Sequence, residues 1–276
     1  MQTNNSEQNN LFQELSSFGL NSVIDTEVYS VMTQNNDEPQ KNVATQENAI
    51  RKNIYLKSFR CPVCGKETQI PTIKSSGVRL IRKDTDFMPI YQDPNPLYYY
   101  ITFCSLCGFA SMPANMKNIS SKQKSLILEK ISSTWQFNKT YPEYYTPEVA
   151  IEIHKLGLLN AIISNDKESL RAIISLHIGW LYRILGDEKN EKVFLSTAME
   201  GFVRAYEHDS GPVGGMNHNT QQLLIAELKR RTGDLKGSMN WYQLVLLDKN
   251  ASYALKETAR EQKDVVIKAL NLEASS

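Results

Sequence analysis

Four cysteines, the full complement of the chain, are the residues whose type and spacing best predict a chemistry. They form two pairs with the same two-residue gap, and a glycine follows the second cysteine of each pair. This gap lets both thiolates of a tight turn face one ion, and glycine permits the positive φ that the turn needs. Two such turns supply a closed shell of four sulfurs, which is typical of structural zinc. We predict one zinc ion per chain, held by Cys61, Cys64, Cys104 and Cys107.

Two other chemistries use the same side chains. A redox-active Cys-x-x-Cys motif attacks disulfides, but it ordinarily occurs once, at a helix N-terminus within a βαβ pattern. An iron–sulfur cluster also takes four thiolates and stays open as an alternative. Because four sulfurs complete the coordination of zinc, the ion has no free position at which to activate water. We therefore expect it to hold the fold together rather than to catalyse a reaction.

The sequence around the two cysteine pairs is rich in β-branched and aromatic residues, interrupted by turn-forming residues. These runs predict strands at 54–56, 68–73, 78–81 and 98–103. Each cysteine pair would then lie on a hairpin, which describes a zinc ribbon with an elaborated loop between its halves.

The apolar pattern becomes helical from about Ser120 onward. A capping Thr146 followed by a proline predicts a helix start. Segments 176–187 and 223–234 match at six positions with a constant offset of 47, and each ends in Gly-Asp. The offset exceeds the tetratricopeptide period of about 34 residues by roughly the length of the glycine-rich stretch 208–220. We predict two tetratricopeptide-like helix pairs with a loop inserted after the first.

These patterns predict an α+β protein in three parts. The first part is an acidic, mostly disordered arm rich in Asn, Gln, Ser and Thr, in which an apolar cluster near 11–24 is expected to pack on the protein itself. A small β-rich zinc ribbon follows. The last part is an all-α array that would include a leading helix pair near 148–170 and a closing helix near 252–270. The predicted domains are 1–50, 51–118 and 119–272.

Short motifs follow one another in a specific order between 52 and 270: Cys61-Pro-Val-Cys64-Gly, Arg82-Lys-Asp84-Thr-Asp86-Phe, Pro96-Leu-Tyr98, Cys104-Ser-Leu-Cys107-Gly and Trp180-Leu-Tyr-Arg183. In this order they resemble the bacterial proteins called domain of unknown function 2225. The resemblance implies a cytoplasmic bacterial protein with a metal-binding N-terminal module and a repeat-like C-terminal half. It implies no activity.

Charge is unevenly distributed along the chain, although the net charge is only +1. The first 50 residues carry seven acidic side chains and one basic one, whereas 51–117 carry ten basic and four acidic. Aromatic residues at 98–103 accompany the basic ones, and together they are suited to stacking bases and contacting phosphates. About half of such a strand would face inward, however, and tyrosines are normal core residues in a small fold. Nucleic-acid binding is therefore the alternative rather than the leading interpretation.

Asp84 and Asp86 are the best remaining polar pair. Alternate residues of a strand point the same way, so the two carboxylates could share a face and bind a hard cation, as in a metal-dependent enzyme. The interpretation that we favour is structural: ion pairs with Arg79, Arg82 or Lys83.

All four histidines lie in the helical half. We expect His154 and His177 to be at least partly buried structural groups. His208 and His218 bracket the glycine-rich stretch and could hold a metal with Asp209, although a solvated loop is the simpler expectation. The glycines of 211–215 lack the lysine and the following Ser or Thr of a phosphate loop.

The sequence contains no Ser/His/Asp set in a supporting motif, no dinucleotide fingerprint and no zincin motif. It also shows no secretory signal and no apolar run long enough to span a membrane, so we expect a cytoplasmic protein without a membrane partner. The leading expectation is a non-enzymatic scaffold that binds a protein or peptide through its helices. Nucleic-acid binding through the basic ribbon is the alternative, and the oligomeric state stays open.

Overall fold

Short strands precede long helices in the computed structural model, which describes residues 11–23, 53–209 and 212–273. The strands form small antiparallel sheets and the helices make up the larger share, so the fold is α+β with a helical majority. Contacts divide the chain into two compact units. Unit 1 comprises the residues up to 79 together with 92–165, and unit 2 comprises 80–91 and the residues from 166 onward.

Two hairpins in unit 1 carry the cysteine pairs in their turns. Strands β1 (Ile54–Arg60) and β2 (Glu67–Ile73) pair antiparallel along their full length. Strands β5 (Thr102–Phe103) and β6 (Ala110–Ser111) form the second, shorter hairpin. The strands expected at 54–56 and 68–73 are therefore present as β1 and β2.

The strand expected at 98–103 is wrong for most of its length. Residues Pro96–Tyr99 form a 3₁₀ helix. Of the segment 98–103, only Thr102 and Phe103 belong to a strand, β5. The side chain of Asn95 accepts a hydrogen bond from the backbone N–H of Leu97, and Pro96 occupies the first helical position. Cap and proline together favour a helical turn over the strand that the aromatic run predicts.

The helix α3 (Pro147–Ile163) is central to unit 1, because its residues are buried on nearly all sides. The hydroxyl of Thr146 accepts from the N–H of Val149, which confirms the predicted start. Two shorter helices precede it, α1 (Pro113–Met116) and α2 (Ser121–Ile127), and a π-helical turn, Leu128–Ser132, continues α2.

A 3₁₀ helix, Gln13–Phe18, also packs against α3 and buries Leu15 and Phe18. This part of the predicted arm therefore packs on the protein itself, as expected. Residues 1–10 and 24–52, with the rest of the arm, lie outside the described residues.

Unit 2 combines the β3–β4 pair with five helices. Strands β3 (Arg79–Lys83) and β4 (Pro89–Gln92) pair with each other. The helices pack in series, each against the next, and the last also contacts α6. They are α4 (Glu168–Leu185), α5 (Glu188–His208), α6 (His218–Thr232), α7 (Leu235–Leu247) and α8 (Tyr253–Glu273).

The two Gly-Asp turns of unit 2 have the same construction. Gly186 and Gly233 end α4 and α6 with φ of 76° and 99°. Asp187 and Asp234 then cap the following helices by accepting backbone N–H groups three residues ahead. A left-handed glycine and a capping aspartate reverse the chain within two residues, and this shared turn accounts for much of the match at an offset of 47.

The leading helix pair expected near 148–170 is wrong. One helix, α3, ends at Ile163, the chain turns at Asn165 with φ of 51°, and α4 begins at Glu168. The closing helix expected near 252–270 is present as α8.

The compact units do not coincide with the segments 51–118 and 119–272. Helices α2 and α3 belong to the unit of the cysteine hairpins, whereas 80–91 belongs to the unit of the C-terminal helices. Whether the predicted segments fold as separate domains stays a prediction. None of the helices formed by the described residues is long and apolar enough to cross a membrane.

Candidate metal centre and the Asp84–Asp86 cluster

Each cysteine pair lies in a tight turn at the end of its hairpin. In the first turn the N–H of Gly65 donates to the carbonyl of Cys61 at 2.9 Å, and in the second the N–H of Gly108 donates to the carbonyl of Cys104 at 2.9 Å. The two glycines have φ of 72° and 74°. The backbones of the two turns therefore match, as the repeated Cys-x-x-Cys-Gly pattern predicts.

The four sulfurs form one cluster. All four Sγ atoms lie within 4.8 Å of one another, with 3.6 Å between Cys61 and Cys107 and 3.8 Å between Cys64 and Cys104. A tetrahedral zinc ion with Zn–S bonds of about 2.3 Å requires sulfurs about 3.8 Å apart. The cysteines are free, and these separations are far beyond the roughly 2.05 Å of a disulfide. The geometry and the donor set therefore fit a four-coordinate metal ion.

Burial and hydrogen bonds between the thiols give the buried cysteines different pKa values. Cys61, Cys104 and Cys107 are buried, and Cys64 is half-buried. Hydrogen bonds from Cys107 and Cys61 lower the pKa of Cys104 to about 2. The hydrogen bond with Cys104 raises the pKa of Cys61 to about 12, and it also raises the pKa of Cys107 above its ordinary value. A divalent cation must displace the retained protons, so metal binding weakens as the pH falls.

Side chains outside the hairpins fix the second turn. The hydroxyl of Ser132 donates to the carbonyl of Cys107 at 2.8 Å, and the indole N–H of Trp135 donates to the carbonyl of Ser105 at 2.8 Å. From α3, the amide of Asn160 donates to the carbonyl of Gly108 at 3.0 Å. These three contacts could not be predicted from the sequence, because a polar residue tens of positions away carries no local sign that it caps a cysteine turn.

Asp84 and Asp86 lie in the turn between β3 and β4 rather than on a strand. The N–H of Asp84 donates to the carbonyl of Met88 at 2.8 Å, and the N–H of Phe87 donates back to Asp84 at 2.9 Å. Phe87 has φ of 66°, which tightens the turn. Both aspartates belong to unit 2, together with the helices that they contact.

Asp86 is fully buried and pairs with α4. Its carboxylate accepts from Arg183 through both oxygens, at 3.1 and 2.6 Å, and from the indole N–H of Trp180 at 3.0 Å. Burial by itself would raise the pKa of this carboxyl. The hydrogen bonds and charge of Arg183, the charge of Arg231 and the indole donor outweigh burial and hold the pKa of Asp86 below its usual range. The pair is therefore ionised and charge-assisted.

Asp84 extends the cluster to α6. Its carboxylate lies 3.1 Å from Arg183 and 3.2 Å from Arg231. Between the aspartates, the hydroxyl of Thr85 donates to Glu227 at 2.6 Å.

Glu227, fully buried on α6, also accepts from Arg230 at 2.9 Å and from the phenol of Tyr242. The 84–86 turn is thus held between the first helices of two successive helix pairs.

The ion partners expected for the aspartates were wrong. The partners are Arg183 and Arg231, not Arg79, Arg82 or Lys83. The reason is geometric, because β3 presents its side chains to solvent while the turn carries the aspartates to α4 and α6. The one feature of the sequence that pointed to these partners is an arginine near the end of each matched segment, Arg183 in 176–187 and Arg231 in 223–234.

The histidines form no second metal site among the residues that the structure describes. His154 and His177 are buried, as expected, and burial lowers the pKa of His154 to about 4. His218 hydrogen bonds through Nε2 to the hydroxyl of Tyr206 at 2.7 Å and stacks on its ring. Within the described residues, only the cysteine cluster brings three or more potential metal ligands together. Gly211, part of the glycine stretch, lies outside them.

Fold and site together define an α+β protein with a four-cysteine centre that fits a metal ion. The chain belongs to the family described as "Uncharacterized protein conserved in bacteria (DUF2225)", whose model matches residues 54–266. The match includes both cysteine pairs and every residue of the Asp84–Asp86 cluster. Comparison with curated proteins and with solved structures gives no significant match.

Replacing one cysteine should abolish stoichiometric metal binding. Cys64→Ser keeps the size of the side chain but removes one of four thiolates, so zinc content should fall well below one ion per chain. Leu106→Ser is the matched control, since Leu106 lies in the second turn, is exposed and has no ligand role. Elemental analysis of the purified proteins measures the effect. Equal zinc content in both variants would refute the assignment.

The two turn glycines should differ in their tolerance of alanine. Both have positive φ, which costs alanine about 1–2 kcal/mol. A Cβ at Gly108 would also lie 2.6 Å from the ring of Trp135, whereas a Cβ at Gly65 meets nothing within 4 Å. We expect Gly108→Ala to lower the free energy of unfolding by at least about 1 kcal/mol more than Gly65→Ala. Denaturant unfolding in the presence of zinc measures the difference, and equal losses would contradict the packing shown by Trp135.

Removing the charge of Asp86 should be costly, because its fully buried, two-bond contact with Arg183 is lost, while Asp84 and Glu191 remain as more exposed partners of that arginine. We expect Asp86→Asn to destabilise the protein by about 3 kcal/mol. Asp84→Asn, at the more exposed carboxylate, should cost about 1 kcal/mol or less. Thermal and urea unfolding at neutral pH measure the two losses of stability. Equal losses in Asp86→Asn and Asp84→Asn would show that burial of the carboxylate does not determine the cost.

The same pair predicts a dependence on pH. Because the pKa of Asp86 in the folded state lies below the ordinary 3.8, its contribution is complete above that value. It is lost as the pH falls through the lower, folded-state pKa. Below about pH 4 the stability of the wild type should therefore fall more steeply than that of Asp86→Asn. If stability falls equally steeply with pH in the wild type and in Asp86→Asn, Asp86 has the same pKa in the folded and unfolded states.

Proposed function

We propose that the chain is a non-enzymatic interaction protein of the bacterial cytoplasm. In this proposal a structural zinc ion folds a ribbon-like module in unit 1, and tetratricopeptide-like helix pairs in unit 2 bind a protein or peptide partner. The ribbon interpretation is supported by two hairpins with matching cysteine turns. A closed shell of four sulfurs gives the ion a structural role, since no coordination position is left for a substrate.

The repeat interpretation is supported by the construction of unit 2. Five helices pack in series, and the two helix pairs share the left-handed glycine and the capping aspartate at their turns. Stacked helix pairs build extended surfaces that repeat proteins use to hold partners.

The observation that carries the proposal is the apolar surface where α7 meets α8, which we call the α7–α8 corner and define as Leu244, Leu247 and Tyr253. These side chains are 44%, 68% and 78% exposed. Terminal repeats ordinarily present a polar outer face, because an apolar one lowers solubility. Large apolar side chains at the end of a helical series therefore favour a partner that brings an apolar segment of its own.

An affinity purification with matched variants tests this function. The tagged full-length protein is incubated with nuclease-treated extract, and retained proteins are quantified by mass spectrometry. Leu247→Ser with Tyr253→Ser should lose a protein that the wild type retains in near-stoichiometric amount. Leu106→Ser with Leu128→Ser removes two exposed apolar side chains from unit 1 and should retain the same protein.

Two outcomes would overturn the proposal. One is that nothing is retained once nucleic acid has been digested. The other is that the corner variant and the control retain the same proteins in the same amounts, which would separate binding from the α7–α8 corner.

A second candidate function, nucleic-acid binding, is favoured by a separate observation on β3. Every residue of this strand is exposed, and Arg79, Arg82 and Lys83 form no ion pair with any described residue. Asp84 and Asp86, which follow directly, are already paired with Arg183 and Arg231. Replacing the three cations with glutamine should weaken binding to nucleic acid and reduce its salt dependence. The geometry gives no comparable support to an enzyme centred on Asp84 and Asp86, because arginines already neutralise both carboxylates.

A further inference from the structure

Unit 1 contains an open cavity of about 670 Å³ that the metal centre and the helices leave unexplained. Its walls come from 57–60 of β1, 70–73 of β2, the end of the 3₁₀ helix 96–99, and the α1 region. The volume is typical of sites for small organic molecules, which range from roughly 300 to 1,000 Å³. All of these walls belong to one compact unit.

The charged side chains that line the cavity are all cations. They are Lys57, Arg60, Lys117 and Lys124, and no acidic residue lines it among those described. Lys124 is half-buried, and Lys57, Arg60 and Lys117 are exposed. None of the four forms an ion pair with a described residue. Arg60 donates a hydrogen bond to the backbone carbonyl of Gly65 at 3.2 Å. Four cations around one opening, without an ionic partner among the described residues, favour an anionic ligand.

The remaining lining is mostly apolar. Three aromatic rings, Phe59, Tyr99 and Tyr100, line the cavity together with four prolines. Tyr99 is rigidly placed, because its ring stacks on Tyr145 at 4.8 Å and its hydroxyl accepts the N–H of Tyr145 at 2.9 Å. Rings and prolines have few rotatable bonds, so they form a preorganised surface for a planar group at small entropic cost.

We propose that this cavity binds a nucleotide, with the base against the aromatic and proline surface and the phosphate at the cationic opening. Planar bases stack on aromatic side chains, and lysine and arginine contact phosphate. A free nucleotide and a nucleotide unit of a single strand offer the same chemistry, and the probes below distinguish them. The site does not depend on a protein partner at the α7–α8 corner, and Arg79, Arg82 and Lys83 of β3 are not among its lining residues.

Fluorescence anisotropy with two probes tests the proposal. The full-length, zinc-loaded protein is titrated at low salt into a fluorescent ATP analogue and, separately, into a labelled single-stranded oligothymidylate of about ten nucleotides. Binding of the ATP analogue assigns a free nucleotide, and binding of the oligothymidylate alone assigns a single strand. Binding of neither probe would overturn the proposal.

Charge reversal locates the phosphate. Lys117→Glu with Lys124→Glu should weaken the Kd at least about tenfold. Lys122→Glu with Lys130→Glu is the matched control, because these exposed lysines lie on α2 and the turn after it but do not line the cavity, and its Kd should change less than about twofold. An equal loss in both would show general electrostatic attraction and contradict a cavity site.

A second pair of variants locates the base. Tyr100→Leu should weaken binding several-fold by removing a stacking surface, and Tyr100→Phe should restore it. Zinc content and melting temperature must match the wild type in each variant. Retained affinity in Tyr100→Leu together with the charge-reversed pair would overturn the proposal. The proposal would also be overturned if nucleotide affinity were lost only in the α7–α8 corner variant, whose residues do not line this cavity.

Discussion

The approach of four cysteine sulfurs to within 4.8 Å is the constraint on which unit 1 depends. It joins the turn of the β1–β2 hairpin to the turn of the β5–β6 hairpin, which lie about forty residues apart in the chain. Each of these hairpins is too small to be stable alone in water. A bound ion would supply the missing free energy, because a closed four-thiolate site forms only in the folded chain. The walls of the cavity come from both hairpins, so the metal centre also positions the proposed nucleotide site.

In unit 2, a turn is held against distant helices by charged side chains. Along the chain, Arg183 on α4 follows Asp86 by 97 residues, and Arg231 on α6 follows Thr85 by 146. Asp86 is fully buried against Arg183 and Trp180. Burying a carboxylate costs several kcal/mol unless it is paired and hydrogen bonded. Here two arginines and an indole satisfy it. Such a pair contributes little net stability compared with an apolar core, but it strongly disfavours any other placement of the turn.

Local sequence patterns predicted those features that depend on a few adjacent residues. The cysteine turns, the Thr146 cap and the Gly-Asp reversals all follow from the backbone angles and short hydrogen bonds of neighbouring residues. The 98–103 segment shows the limit of this reasoning. Its aromatic run favours a strand, but the cap at Asn95 and the adjacent proline override it.

Features that depend on distant contacts could not be predicted in this way. Asp84 and Asp86 have basic neighbours in sequence, yet their partners Arg183 and Arg231 lie on helices about 100 and about 150 residues later. Nothing local distinguishes Arg183 from an exposed helical arginine. The same holds for Ser132, Trp135 and Asn160 around the second cysteine turn, and for the cavity, whose cations come from separate elements.

Native mass spectrometry of the full-length protein, before and after chelation, tests the central claim most directly. We expect a chain with one zinc ion, whose four thiols resist alkylation until the ion is removed. The β1–β2 hairpin should then lose its protection from hydrogen exchange. A metal-free chain with the same exchange pattern would contradict a structural zinc ion. A chain carrying an iron–sulfur cluster in its place would contradict the metal assignment while leaving the four ligands in place.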